Sequence, residues 1–362
     1  MRALAVVCSA ALLLAACGSG APPATSGPSQ PAGGGSGKPA SLADIAAYQG
    51  ADRQAILEEG AKKEGTVQYY TTLAGDVVQA IADRFRAKYP YLKVETYRGN
   101  GDELMTKISQ EQAAKKYIVD VIHGDEDTVA QLAGAGYYVP FFSPNSAAFP
   151  ADDRDAASGN LNYDVLNTVL YMSFAYNTKS LPENIAPKTY ADLTNPALKG
   201  KMAITGTGNS GPRWIGTIIQ AYNEDLVHKI AQQSFQVQMV AAKAVMDLIS
   251  KGEVISSPTI YEDHTQQAQE AGAPVKWVPL EPVVGGFSGV GIVAGAQHPY
   301  ASMLFMDWLL SPDFRKIQDD YHLGNPSANP GFKTARPTKG MNLADRTKNF
   351  QHWADLLKEF GK

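Results

Sequence analysis

Polar and apolar residues alternate along the chain in two rhythms, and the switch between them maps its elements. Val77, Ile81, Phe85 and Tyr89 recur at four-residue spacing, which places them on one face of a helix that Pro90 stops. Short apolar runs flank it: "TVQYY" (66–70) and "LKVETY" (92–97) read as strands. "DELMTKISQEQAAKK" predicts a second helix, "YIVDVIH" (117–123) a third strand, and "DEDTVAQLAGAG" a short helix closed by glycine. Upstream, "LADIAAYQGADRQAILEEGAKKEG" predicts short helices ending at Gly65. Strand–helix alternation of this kind implies an α/β unit with a mainly parallel sheet.

A second α/β stretch begins near "TVLYMSFAYNT" (168–178) and continues through "KMAITG" (201–206). It predicts a helix from about Arg213 to Tyr222, a longer helix across 226–251, and strands in "EVISSPTIY" (253–261) and "GFSGVGIVA" (286–294). "PYASMLFMDWLLSPDFRKIQ" reads as one further helix. Near the end, Phe350, Trp353, Leu357 and Phe360 share a helical stripe, the pattern of a packing face. No internal repeat is evident.

The N-terminal end has a different character. Met1-Arg2 precedes an apolar run from Ala3 to Ala16, then Cys17. The run fits an export signal and is shorter than the ~20 residues a membrane-spanning helix needs. Leu14-Ala15-Ala16-Cys17 resembles a bacterial lipobox, which implies cleavage before Cys17 and acylation of that cysteine. Residues 18 to about 40 are almost all Gly, Pro, Ser and Ala, with one charge, the composition of a flexible tether. The division expected is a signal peptide at 1–16, acylated Cys17 and linker at 17–43, and a folded body beyond. Cys8 leaves with the signal, so the exported body has no thiol and depends on its core. The formal net charge of -4, without any Lys/Arg run, argues against a nucleic-acid partner.

Ligands of open α/β sheets sit beyond the C-terminal ends of the strands. Those ends are Tyr70-Thr71-Thr72, Gly99-Asn100-Gly101-Asp102 and His123-Gly124-Asp125, then Thr207 to Gly211 and Tyr261-Glu262. The stretch "TGTGNSGPRW" precedes a helix. It is either a cap and turn, or an anion site built from backbone N–H groups with Asn209, Ser210 and Gly211. Arg213 stands ready to assist an anion or to pair with a carboxylate. Asp125 is either a helix N-cap or a ligand. Asp263 and His264 read as a solvated turn.

Several blocks are similar to the ferric-iron-type extracellular solute-binding proteins of ABC importers. They are "EGTVQYYTT", "FAYNTKSLP…PKTYADLTNPALKGKMAI", "SKGEV" and "AQHPYASMLFMDWLLSPDFRKIQ", spread over roughly residues 50–330. The resemblance implies a two-lobe periplasmic-binding-protein fold of the second class, with a ligand cleft between lobes that close by hinging. Lobe one is expected at 44–165 and lobe two at 166–284. Residues 285–362 return to lobe one and add C-terminal helices. The crossings are expected near 163–172 and 280–290. A permease and an ATPase are the implied partners of a monomeric receptor, lipid-anchored outside the cytoplasmic membrane.

Iron-binding members of that family use a histidine, a carboxylate and two adjacent tyrosines. The histidine position falls near Leu73-Ala74, where none exists, the carboxylate on Asp125, and the tyrosine pair on Tyr261-Glu262. The expected metal donors are therefore Asp125, Tyr261 and Glu262, with His123 or His264 as possible additions. The expected ligand residues are these three with Thr71, Thr72, Asn100, Asn209, Ser210 and Gly211. Ferric iron with a synergistic anion is the first expectation for the cargo, and no resident cofactor is implied. An organic cation (a polyamine or thiamine) held against Tyr70, Tyr261 or Trp214 is a second, and a phosphonate or carboxylate at Ser210 and Arg213 a third. An enzyme is not expected. The exported body lacks a cysteine nucleophile, a G-x-S-x-G elbow and an H-E-x-x-H pair, and "GFSGVG" lacks the elbow spacing. A ligand sensor without a transporter is the other class left open.

Overall fold

A computed structural model describes residues 39–361. Cys17, the signal peptide and most of the linker lie outside the described residues.

The first part of the chain runs α1 (Leu42–Ala47), α2 (Arg53–Glu64), β1 (Thr66–Thr71), α3 (Gly75–Lys88), β2 (Lys93–Arg98), α4 (Gly101–Ala114), β3 (Val121–Asp125) and α5 (Glu126–Gly134). Short strands β4 (Tyr138–Val139) and β5 (Arg154–Ala156) lead into the 16-residue β6 (Asn162–Asn177). The second part holds β7 (Ala203–Thr205), α6 (Ser210–Ala221), α7 (Glu224–Ala231), β8 (Gln236–Gln238), α8 (Ala242–Lys251), β9 (Ser256–Tyr261), α9 (Glu262–Glu270) and β10 (Val275–Val278). The chain then returns through β11 (Val283–Val293), α10 (Pro299–Leu309), α11 (Pro312–Asp320) and β12 (Thr334–Ala335), and ends in α12 (Leu343–Leu357).

The main sheet is mixed rather than mainly parallel. β1 pairs in parallel with β2 and β3, as strand–helix–strand units require. The two longest strands, β6 and β11, run antiparallel to each other, and β11 is antiparallel to β3. β9 and β10 pair antiparallel with the far half of β6. β6 and β11 thus form a continuous ribbon joining the first α/β unit to the second.

Four apolar clusters are buried among the described residues, and the two largest lie toward opposite ends of this ribbon. One packs Val77, Ile81 and Phe85 of α3 against Phe305 and Trp308 of α10. The other gathers Phe174 of β6, Trp214 and Ile218 of α6, and Trp353 of α12. The four-residue stripe of α3 is the cause of the first, and Tyr89 falls at the helix C-cap, still buried.

Two predicted helices break. The span 226–251 divides into α7, β8 and α8. Ser234 takes a positive φ of 57°, which ends the helical path, and the β-favouring "FQVQ" then pairs in parallel with β7. The 299–318 span divides at Ser311, whose hydroxyl accepts from Asp313 N and caps a new helix with Pro312 in its first turn. Strand β3 starts four residues later than the apolar run suggested and ends on Asp125.

Candidate functional site: a cleft at the strand ends

The C-terminal ends of β1, β3 and β9 and the N-terminal end of α6 open onto one cavity of about 760 Å³. Thr72, Asn100, Asp125, Asn209, Ser210 and Tyr261 line it. Thr71, Gly211 and Glu262 do not. Thr71 is fully buried and its hydroxyl accepts from Leu73 N. A Cβ on Gly211 would meet Thr205 O and the Leu357 side chain, so this glycine faces inward, permitting close packing of α6 and α12.

One wall is polar and positively biased. Asn209 occupies the N-cap of α6 without a side-chain cap bond, which leaves the helix's first N–H groups without a side-chain acceptor. Ser210 Oγ lies 3.0 Å from the Tyr261 hydroxyl. One turn on, the Arg213 guanidinium donates to Asp127 Oδ2 at 2.8 Å. The facing wall is α5, where Asp125 acts as the N-cap: Oδ1 accepts from Asp127 N and Thr128 N, and Oδ2 from the Thr128 hydroxyl. Asn100 is likewise a cap, in a reciprocal capping box with Glu103.

The three expected metal donors are not brought together. Tyr261 and Asp125 face the cavity, but Asp125 is engaged by three donors. Glu262 begins α9 and does not line the cleft; it accepts from Gln266 Nε2 at 3.3 Å, and its charge acts on Tyr171. Burial, reinforced by Asp263, holds its carboxyl above the ordinary range. Among the described residues, no group of three or more His, Cys, Asp or Glu side chains is gathered to hold a metal ion.

Both histidines also fall away from the site. His123 is wholly buried in β3, with Nε2 3.3 Å from Thr168 Oγ1 and Nδ1 unpartnered, and burial pulls its pKa down to about 4. His264 packs edge-on against Tyr261, and burial lowers its pKa too. Asp263, read as part of a solvated turn, is buried in α9. The aromatic platform for an organic cation is not assembled: Trp214 is completely buried in the second core, and buried Tyr70 donates to Glu111 at 2.7 Å.

The C-terminal helix supplies a wall that sequence reasoning missed. Leu343, Arg346, Thr347, Phe350, Gln351 and Ala354 of α12 line the cavity. Trp353, Leu357 and Phe360 are packing residues, as their stripe suggested, but Phe350 also reaches the cleft, with Arg213 stacked 5.9 Å over its ring. A second run at helical spacing, 343–347–350–354, was the available signal.

A family model for the bacterial extracellular solute-binding proteins matches residues 80–340. The chain belongs to this family. A relative of this solute-binding protein, an uncharacterized protein of Haemophilus influenzae, is 24% identical over 268 residues, covering 71% of this chain and 76% of that one. Two solved structures are similar over 82% of this chain and 99% of theirs. The periplasmic binding protein AfuA of Actinobacillus pleuropneumoniae, determined with fructose-6-phosphate, gives a TM-score of 0.66 at 22% identity. Iron-bound HitA of Pseudomonas aeruginosa gives 0.63 at 19%. The fold is therefore that of the two-lobe periplasmic binding proteins. No helix among the described residues is long and apolar enough to cross a membrane.

Proposed function

We propose that this solute-binding protein is the receptor of an ABC importer and that its cargo is a small organic anion bearing a phosphate, phosphonate or carboxylate group. The observation that carries this reading is the uncapped start of α6, with the Ser210 hydroxyl on the same cavity wall. Amide dipoles and a hydroxyl are donors to an oxyanion, and the neighbouring Arg213 is already paired with Asp127. The cavity has room for an organic body beyond the acid group, and Thr347, Phe350 and Gln351 offer it polar and apolar contacts. AfuA, with its sugar phosphate, is a precedent on this fold.

Ferric iron with a synergistic anion is the cargo that HitA would suggest. It finds less support here, because Glu262 does not line the cavity and Asp125 is already committed as a cap. Delivery to a permease and ATPase follows from the receptor role. Acylation at Cys17 would hold the receptor at the outer face of the cytoplasmic membrane.

A thermal-shift panel tests the reading. It comprises fructose 6-phosphate, an aminoalkylphosphonate, citrate, ferric iron with and without phosphate or citrate, a polyamine and thiamine. A ligand present at 100 times its Kd stabilises the native state by about 2.7 kcal/mol, which is readily seen. Protection by one of the organic anions is expected. Protection by iron, polyamine or thiamine with none by the anions would sink the proposal.

A further inference from the structure

Asp127, the second residue of α5, is held by two arginines from elsewhere in the chain. Arg213 of α6 donates to Oδ2 at 2.8 Å, and Arg346 of α12 donates to Oδ1. The side chains are only 12%, 11% and 8% exposed, in the order Asp127, Arg213, Arg346. Neighbouring carboxylates are engaged otherwise: Asp125 caps α5, and Glu126 accepts from Arg336 at 2.9 Å. Asp127 is thus the carboxylate that pairs with both guanidiniums, and all three residues line the cleft. Arg346 lies beyond the segment matched by the family model.

Two shielded guanidiniums beside an uncapped helix start would form a strong trap for any oxyanion. Phosphate and sulfate need only charge and donors, so they would fill such a trap as well as a nutrient would. A carboxylate built into the protein satisfies both arginines and repels a second anion placed between them.

We propose that Asp127 is a selectivity-determining residue of the cleft, an internal counter-ion that occupies Arg213 and Arg346 and turns away bare inorganic oxyanions. The proposal rests on the reading of the cleft as an organic-anion receptor. An organic anion is held by contacts that an inorganic ion cannot use, to Phe350, Thr347 and Gln351, while its acid group meets Ser210 and the α6 amides.

Asp127 also ties α5 to α6 and α12, so the test separates charge from loosening. Inorganic phosphate, and separately sulfate, are titrated calorimetrically into the full chain, its D127N variant and its R346Q variant. The wild type is expected to bind neither in the micromolar range. D127N is expected to bind phosphate at least roughly tenfold more tightly than the wild type. R346Q breaks the same tie but keeps the carboxylate, and is expected to gain nothing. An unchanged or weaker affinity in D127N overturns the proposal, as does an equal gain in R346Q. Should D127N fail to fold, the wild-type titration still decides, because micromolar phosphate binding overturns the proposal and its absence supports it. Fructose 6-phosphate, citrate and an aminoalkylphosphonate titrated into the wild type keep the two readings apart. Failure of all three with a phosphate gain in D127N removes the organic-anion reading and leaves the exclusion by Asp127. Organic-anion binding without that gain does the reverse.

Discussion

The hydroxyls of Ser210 and Tyr261 lie 3.0 Å apart, joining the first residue of α6 to the last residue of β9. Ser210 is therefore held in a fixed direction at the mouth of the helix, and because one hydroxyl proton is spent on this mutual bond, the pair keeps one proton for a bound anion. Replacing Ser210 by Ala is expected to weaken binding of an anionic solute by roughly tenfold, the scale of one hydrogen bond to a charged group. Tyr261→Phe removes the same mutual bond but leaves the serine, so a smaller loss is expected. Calorimetric titration of both variants with whichever panel member protects the wild type checks the order.

Glu262 and Asp125 make a contrasting pair. Glu262→Gln is expected to leave ligand affinity unchanged, because Glu262 does not line the cavity. Asp125→Ala is expected to cost about 1 kcal/mol of stability through loss of the α5 cap. Urea unfolding of both variants, alongside titration, would separate the two effects. A large affinity loss in the Glu262 variant would restore a metal-like donor set.

Gly216 of α6 is a notch for Trp353 of α12: a Cβ there would stand 2.7 Å from three ring atoms of the indole. Gly216→Ala is expected to destabilise the protein by about 1–3 kcal/mol through overpacking. It should also lift α12 from the cleft, so ligand affinity falls in step. The urea midpoint and the tryptophan emission of the variant provide the readout. Unaltered values of both would show that the helix slides to accept the methyl.

Asp164 on β6 lies directly opposite Asp155 on β5. Burial, with the charges of Asp155 and Glu126 adding, pushes its pKa up to about 7. An unfolded aspartate releases its proton near pH ~4, whereas the folded one keeps it to about 7. The group therefore lowers stability progressively as pH rises from about 4 to about 7, with no further change above. Asp164→Asn removes that loss. The stability advantage of the variant should grow across this window and then level off, as followed by urea unfolding at several pH values.

His298 behaves in the opposite sense. Its Nδ1 lies 2.7 Å from Asp120 Oδ2, and this hydrogen bond raises its pKa. Its contribution is complete below the ordinary histidine pKa of about 6.5 and is lost as pH rises through the raised value. His298→Gln should therefore narrow the stability gap between acidic and mildly alkaline conditions, measured by the same unfolding series.

The strand ends were legible because each apolar run stops at a polar, cap-forming residue, as Asn100 and Asp125 do. The lining of the cleft by Thr72, Ser210 and Tyr261 follows from topology alone. Glu262 was misread because adjacency in sequence is not adjacency in direction. Successive residues of a helix point about 100° apart, and α9 begins at Glu262. The parallel reading of the sheet failed at β6 and β11, since fully buried strands look alike in either orientation. Arg346 and Asp127 are 219 positions apart, a separation over which a single sequence carries no pairing signal.

The C-terminal helix contributes no strand to either sheet, yet it forms one wall of the cavity. Its residues can accordingly diverge without shifting the register of a single β pair. Change confined to the cleft-lining positions Thr347, Gln351 and Ala354 would alter that wall while leaving the β6–β11 ribbon and the core contacts of Trp353 and Leu357 intact, so one face of a single helix can vary independently of the other.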